Sequence, residues 1–456
     1  MSNNNQPVEL TDITVSLPGL TTEDRDASIG LLLDCAKRGE NYGKQRPPSI
    51  CKVSRVLRDH NESSFIPQLV SIGPIHREDP RLKEFECLKE SYLDDLLKRC
   101  EDYTLEKTLE TCLLNVGTLI PQVRESYAGM IQDYSDVELA MMMVMDGCFI
   151  LEFCFKHDEE HLYLPNKMQN SRIAMDLMLL ENQVPFFVLQ ALFDCSMGNM
   201  PFTLRDVLDT YLAPYIQLFR SDLLPEKIST TDVDSNSTHD HVLGYLHTRY
   251  QLVVAKSSNR EKRKEKTVYH SIAELDRSGM KLKPHQEGDW SMTIKFQSPL
   301  FRFLPWFWSK PTLLMPTLVI DDFTELILRN FIAYEQSFPQ GRYYFTSYAY
   351  AMDMLINTQE DIAKLVQSKV LVNTLASNQE AADMIHKICK NISITDFYYA
   401  KEFKQADKYY NSFWPKNKAW LRRVYFFDSW KAIALYYSII VFFLTVVQTY
   451  YTIKGK

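Results

Sequence analysis

The residues best suited to chemistry in this chain are two histidines and a carboxylate within one short stretch. His157 and His161 frame Glu160 in the pattern H-x-x-E-H, which on a helix places two imidazoles on one face, where they could bind zinc. The stretch follows an apolar run and leads into Leu-Tyr-Leu-Pro, and no third ligand follows at a motif spacing. We therefore interpret residues 157–161 as a solvated loop and keep a metal site as the alternative.

A second candidate is Glu181, which interrupts the apolar run DLMLLENQVPFFVLQALF together with Asn182 and Gln183. The run Asp176–Phe193 predicts a central helix with a kink at Pro185, because proline lacks the N–H that a helix needs. Polar side chains in such a place require partners, so we expect a hydrogen-bonded network that fixes the fold. A catalytic carboxylate at Glu181 is the alternative, although no second acid or histidine stands at a motif spacing.

Other motifs of known enzyme classes are missing from the sequence. The stretch GENYGKQ at 39–45 has the wrong spacing for a phosphate-binding Walker loop, and the chain has no GxSxG elbow. A net charge of -7 gives no general reason to bind nucleic acid. The nine cysteines form no CxxC pair and indicate thiols in a reducing compartment. We expect no enzyme, no cofactor, no metal and no nucleic-acid partner.

Two further patterns concern the surface. The run KSSNREKRKEKT at 256–267 is basic, and its interleaved glutamates favour a solvated linker over contact with nucleic acid, a localisation signal or binding to anionic lipid. Asn61, Asn236 and Asn391 each begin an N-x-S/T sequon, about as many as chance provides, so they are weak evidence for a lumenal face.

The segment that positions the whole chain is its last one, AIALYYSIIVFFLTVVQTYYTI at Ala432–Ile453, which holds no formal charge. As a helix it would span roughly 33 Å, enough for a hydrocarbon core of roughly 30 Å. Lys416, Lys418, Arg422, Arg423 and Lys431 precede it, whereas Lys454 and Lys456 follow. This excess predicts that the preceding domain lies in the cytosol, as in a tail-anchored protein. A lumenal or extracellular domain at the plasma membrane is the alternative.

Periodicity predicts a mainly α protein with a small β-sheet element and one C-terminal transmembrane helix. We expect a flexible arm over 1–45, a helical globular domain over 46–428 with exposed loops near 221–240 and 256–268, a membrane helix over 429–453 and a short tail over 454–456. The pattern Ser135–Glu138 predicts the start of an apolar central helix. Alternation over Trp290–Phe296 predicts a strand, with Leu313–Ile320 as its partner.

Several segments in this order resemble the plant domain-of-unknown-function 247 family. They are ICKVSRVLR, SFIPQLVSIGPIH, LKEFECLKESYLDDLLKR, MDGCFILE, DLMLLENQVPFFVL, IAELDRSGMKLK, LRNFIAYEQ and LTVVQTYYTI, and the resemblance covers about Ile50 to Ile453. Ile75 and Arg77 stand where the family tends to show an aromatic residue and a second histidine, and Ser429 where it tends to show proline. The resemblance implies a plant protein with a mostly helical domain and a C-terminal membrane helix, and it brings no catalytic residues to assign.

These observations lead to one functional expectation and two alternatives. We expect a membrane-anchored, non-enzymatic protein that recognises an unidentified protein partner and contacts the bilayer through Ala432–Ile453. Some grass members of the family are implicated in self-incompatibility, so the resemblance implies a recognition or signalling determinant as one alternative. The other is a membrane-bound hydrolase that would use Glu181, His157, Glu160 and His161.

Overall fold

The computed structural model describes residues 21–44, 48–100, 104–127, 130–156, 167–198, 200–216, 218–219, 239–250, 270–285, 292–298, 310–337, 343–394, 397–412 and 429–454. Within them the protein is mainly helical with small sheets, and the predicted fold class is confirmed. The chain divides into two compact units, Met1–Pro47 and Pro48–Lys456.

The first unit contains helix α1, Thr22–Lys44. The side chain of Thr21 accepts a hydrogen bond from the backbone N–H of Asp24, and the Asp24 carboxylate accepts one from Thr21 N–H in return. This reciprocal cap starts a regular helix in a stretch where we expected a flexible arm. Its apolar residues Ile29, Leu31, Leu32 and Leu33 are exposed.

The second unit is built from the following helices, with bounds in chain order. They are α2 Arg55–Arg58, α3 Glu86–Arg99, α4 Leu105–Ser126, α5 Asp136–Lys156, α6 Lys167–Asp176, α7 Phe186–Met197, α8 Leu204–Val207, α9 Val242–Arg249, α10 Ile272–Ser278, α11 Thr324–Ser337, α12 Tyr344–Leu355, α13 Gln359–Gln367, α14 Asn378–Ile388, α15 Ala400–Tyr410 and the C-terminal helix Ser429–Lys454. A π turn Leu208–Leu212 and a 3-10 turn Ala213–Ile216 continue α8.

Helix α5 is central, as its apolar sequence predicts. Ser135 accepts a hydrogen bond from Glu138 N–H at 3.2 Å and donates its own N–H to the Glu138 carboxylate at 2.8 Å, which is the predicted capping box. The helix packs against α3, α4 and α7, and its residues from Leu139 to Phe155 are nearly all buried.

The predicted kinked helix over Asp176–Phe193 is wrong, because the structure has two helices joined by an irregular loop. Helix α6 ends at Asp176 and α7 begins at Phe186. In the loop, the Asn182 amide donates to the carbonyl of Asp176 at 3.0 Å and the Gln183 amide to that of Leu177 at 2.7 Å. These side chains occupy carbonyls that a continuing helix would use, and Pro185 supplies no N–H.

The structure has two small sheets, whose described strands are shorter than predicted. Strands β1 Lys281–Pro284, β2 Lys295–Gln297 and β3 Thr312–Met315 form one sheet, in which β3 lies between parallel β1 and antiparallel β2. The predicted pairing of the two segments is thus present at Phe296 and Leu313, while Trp290 lies outside the described residues. The remainder of the predicted partner forms β4, Leu318–Ile320, which pairs in parallel with β5, Leu371–Asn373. Pro316 between β3 and β4 has no N–H to continue a ladder.

The C-terminal helix has the predicted length and apolarity. It runs over 26 residues, and within the described chain it alone is long and apolar enough to cross a membrane by length and composition. Its described side chains are exposed. Sixteen preceding residues, 413–428, lie outside the described part, as does most of both predicted exposed loops.

Candidate functional site

The most concentrated buried chemistry lies in the loop between α6 and α7. Asp176, Glu181, Asn182 and Gln183 are each at most 2% exposed. The side chains of Asp176, Glu181 and Asn182 bind backbone groups of the segment 53–73, and the Gln183 side chain binds backbone groups of its own loop and of α9. We call this arrangement the polar junction. Buried polar groups are tolerated only when they are paired, so the partners decide what the junction does.

Asp176 binds three successive backbone amides. Its carboxylate accepts the N–H groups of Gln68, Leu69 and Val70 at 3.0, 2.8 and 2.9 Å. Burial raises the pKa of Asp176, and the three amides oppose that rise. The carboxylate thus satisfies three successive backbone donors of a bend that no strand pairs with among the described residues.

Asn182 and Gln183 pair with backbone on both sides of the loop. The Asn182 side chain accepts from Ile72 N–H at 2.7 Å and donates to the carbonyl of Val70 at 2.9 Å, as a neighbouring strand would. The Gln183 side-chain oxygen accepts from Leu243 N–H at 3.1 Å, which attaches the start of α9 to the same loop. The predicted hydrogen-bonded network is therefore present.

Glu181 is the carboxylate that the sequence offers as a catalytic candidate. One oxygen accepts from Val53 N–H at 2.7 Å and from the Arg58 guanidinium, and the other accepts from His76 Nε2 at 3.1 Å. The Glu181 side chain is fully buried, whereas those of Arg58 and His76 are 20% and 13% exposed. Burial alone would raise the pKa of Glu181, but the hydrogen bonds from His76, Arg58 and Val53 outweigh it and lower the pKa.

This geometry favours a structural carboxylate over a catalytic one. Among the described residues, Val53, Arg58 and His76 are the groups that hydrogen-bond Glu181, and all three are donors. A general base needs a lone pair directed at a substrate proton, and a general acid needs a raised pKa. Glu181 has the opposite pKa shift and its oxygens are already occupied.

The junction continues onto the central helix through Asp146. Its carboxylate accepts from Gly73 N–H at 2.8 Å and from Lys89 Nζ at 2.7 Å. The side chains of Asp146 and Lys89 are both almost completely buried. Gly73 has a φ of 70°, and a Cβ there would lie 2.7 Å from the Gln183 carbonyl oxygen. Position 73 therefore requires glycine, and the segment GPIH has close neighbours on both of its sides.

Glu335 is a further buried carboxylate, which the sequence does not predict. Glu335 on α11 is 2% exposed and accepts from Phe345 N–H at 2.9 Å, from Thr346 N–H at 2.8 Å and from His247 Nε2 at 2.8 Å. It therefore supplies acceptors for the first turn of α12. The signal for it is a glutamate inside the aromatic helix LRNFIAYEQ, at a place where a solvated charge is not expected.

The other predicted candidates lie outside the described residues or at the surface. Residues 157–161 and the basic run at 256–267 lie outside the described residues, as does Asn236. The remaining sequons are at the surface, where Asn391 Nδ2 lies 2.8 Å from His60 Nε2. In the described portion of the chain, no group of three His, Cys, Asp or Glu side chains is arranged to hold a metal.

Comparison with known proteins identifies the family. The model of DUF247, a plant protein family of unknown function, matches residues 50–444. The chain belongs to the DUF247 family. Two UPF0481 proteins of Arabidopsis thaliana are similar to it across most of their length: one is 22% identical, covering 88% of this chain and 89% of its own, and the other is 26% identical, covering 90% and 87%. No solved structure matches the chain.

The family resemblance and the polar junction involve the same segments. SIGPIH supplies Gly73 and His76, MDGCFILE supplies Asp146, and DLMLLENQVPFF supplies Asp176 and Glu181. Three of the eight segments that carry the resemblance thus contain groups that attach the segment 53–77 to the helices.

Proposed function

We propose that this protein is a membrane-anchored, non-enzymatic interaction protein whose helical domain is held at a bilayer by its C-terminal helix. The observation that carries the proposal is the exposure of that helix. Phe442, Phe443 and Leu444 are 66, 63 and 63% exposed, whereas the apolar helices α5 and α7 bury most of their large apolar side chains. Leaving a large apolar side chain in water costs about 1.5–3 kcal/mol, so this surface favours lipid.

The polar groups of the helix fit the same environment. The hydroxyls of Thr445, Thr449 and Thr452 donate to carbonyls one turn earlier at 2.7, 2.8 and 2.7 Å. In a hydrocarbon core an unsatisfied donor is costly, and these donors are satisfied within the helix itself. Tyr450 and Tyr451 stand near its end, where aromatic rings favour the headgroup level.

Sidedness follows from the charges that flank the helix. More lysines and arginines precede the helix than follow it, which favours a cytosolic domain. The thiol form of all nine cysteines agrees with a reducing compartment. We therefore infer a cytosolic domain behind a C-terminal anchor.

The interaction role rests on the domain surface and on the state of its buried carboxylates. Val137 and Met141, one turn apart on α5, are 68 and 59% exposed, and Leu114 on α4 is 64% exposed. We infer that these exposed apolar side chains contribute to a contact with a protein partner. The buried carboxylates Glu181 and Glu335 are occupied by protein donors, which supports recognition over catalysis.

The test combines topology and partner capture. One sample of microsomes that carry the full chain with an N-terminal tag is treated with protease. A parallel sample is treated with a lysine-reactive cross-linker. The proposal predicts that the tag is digested without detergent and that a discrete cross-linked species forms. Met141→Glu should reduce the amount of this species, whereas the control Glu110→Gln, an exposed change on α4, should not. Protection of the tag would refute the cytosolic side, and cross-linking unchanged by Met141→Glu would refute this contact surface.

A further inference from the structure

The C-terminal helix carries a polar side chain, Gln448, that has no partner in the described part of the chain. Gln448 is exposed, and only its backbone carbonyl takes part in a side-chain hydrogen bond there, as the acceptor for Thr452. The hydroxyls of Thr445 and Thr449, by contrast, donate to carbonyls of their own helix. The amide of Gln448 has two N–H donors and an oxygen acceptor, and these groups remain to be satisfied.

The depth of Gln448 makes its amide costly in a bilayer, and this step rests on the proposed anchor. Gln448 lies six residues before Lys454, or about 9 Å along the helix axis, within the apolar segment that Lys454 ends. Helical side chains lean toward the N-terminus of their helix, which directs this amide toward the middle of the bilayer and away from the nearer headgroups. An unsatisfied polar group in hydrocarbon is unfavourable, so the amide requires a partner within the membrane.

Gln448 shares one face of the helix with other polar residues. Ser438, Val441, Thr445, Gln448 and Thr452 follow one another at alternate steps of three and four residues. This is the spacing by which two helices pack along a common seam. Interfaces between membrane helices are enriched in serine and threonine, and glutamine side chains hydrogen-bond across them. The face that contains Gln448 therefore has the composition and the spacing of a helix–helix contact.

We propose that the C-terminal helices of two copies of this chain pair in parallel along this face, and that the Gln448 amide of each copy donates an N–H to the side-chain oxygen of the other. A second copy fits because it inserts with the same sidedness and brings an identical amide to the same depth. A carboxamide is complementary to itself, since it holds both a donor and an acceptor. The hydroxyl oxygen of Thr445, one turn away on the same face, retains a lone pair for the second N–H.

Disulfide trapping in microsomes locates the paired face. Val441→Cys places a thiol on the face that contains Gln448, and the matched control Val446→Cys places one on the other side of the helix. Both valines are exposed, by 58 and 49%. Microsomes that carry each full-chain variant are oxidised with copper phenanthroline and analysed without reductant, and the wild-type chain reports any links through its native cysteines. We expect Val441→Cys to add a dimer that dithiothreitol separates, and Val446→Cys to add none.

Variants at Gln448 assign the contact to its amide. In the Val441→Cys background, Gln448→Leu should weaken self-association about tenfold and lower the linked fraction accordingly. Gln448→Asn keeps a carboxamide and should retain most of the linkage. Thr449→Val removes a hydroxyl from another face of the helix and should leave the linkage unchanged.

Alkaline carbonate extraction of the same microsomes separates failure of the pairing from failure of the anchor. Retention in the pellet, with linkage at position 441 that depends on Gln448, supports the pairing. Retention with equal linkage at positions 441 and 446, with linkage unaffected by Gln448→Leu, or with a link from position 441 to a different protein would overturn the pairing and leave the anchor intact. Release of the chain into the supernatant would overturn both.

Discussion

Removal of the Glu181 carboxylate separates a structural role from a catalytic one. In Glu181→Ala the buried N–H of Val53 loses its acceptor, which costs about 1–3 kcal/mol. Arg58 and His76 also lose a partner, but they are partly exposed and contribute less, about 0.5 kcal/mol each. We expect the free energy of unfolding to fall by about 2–4 kcal/mol.

Glu62 provides the matched control, because it is a second carboxylate paired with the same arginine. Its side chain is 66% exposed and lies 3.6 Å from Arg58. Glu62→Ala should change stability by less than about 0.5 kcal/mol. Glu181→Gln should fall between the two, since its amide oxygen still accepts from Val53 while its NH2 group opposes His76.

The assay is urea unfolding of the full chain in detergent, followed by helical circular dichroism. Because the pKa of Glu181 is lowered in the fold, its contribution is present above the unfolded carboxyl pKa and is lost as pH falls through the lowered value. The difference between wild type and Glu181→Ala should therefore shrink in acid. Equal stability of Glu181→Ala and Glu62→Ala at neutral pH would refute the structural assignment.

Two further predictions concern packing and acid stability. Gly147→Ala should lower the free energy of unfolding by about 1–3 kcal/mol, because the added Cβ would lie 2.3 Å from Leu192 Cδ1. In Gly117→Ala the added Cβ meets no neighbouring atom, so the free energy of unfolding should rise by about 0.5–1 kcal/mol. Urea unfolding midpoints compare the two variants with the wild type. Burial lowers the pKa of His241 to about 4. The free energy of unfolding should therefore fall by about 3 kcal/mol as the pH drops from about 6.5 to 4. His241→Asn, which can still cap α9, should remove most of that loss in the same assay.

Local signals in the sequence were sufficient for several helices and their ends. The capping box at Ser135 and Glu138, which starts α5, involves residues within one helical turn. Such features depend on near neighbours alone, so residue type and spacing determine them. The C-terminal helix is predictable for the same reason, since length and apolarity are properties of one segment.

Features that depend on distant partners were not predictable. The apolar run around Glu181 has the composition of a helix, but its polar side chains bind local carbonyls and the distant segment 53–73, and Pro185 supplies no N–H. The partners of Glu181 lie more than a hundred residues away, so their identity requires the fold. The pairing of β4 with β5 also requires the fold, because each strand is three residues long and shows no alternation that specifies a register.

Recognition of a protein partner stays a proposal. The DUF247 family and the two UPF0481 relatives place the chain among plant proteins of unknown function. A role in self-incompatibility stays a prediction from resemblance.

Extraction of membranes with alkaline carbonate tests the central proposal, anchoring by the C-terminal helix, most directly. The full chain should remain in the membrane pellet, and the double variant Leu444→Arg/Val447→Arg should move to the supernatant, since each buried charge opposes insertion by about 2.5–3.5 kcal/mol. Met141→Arg, an equally exposed position on the domain, is the matched control and should stay in the pellet. Release of the wild-type chain by carbonate, or retention of the double variant, would contradict the proposed anchor.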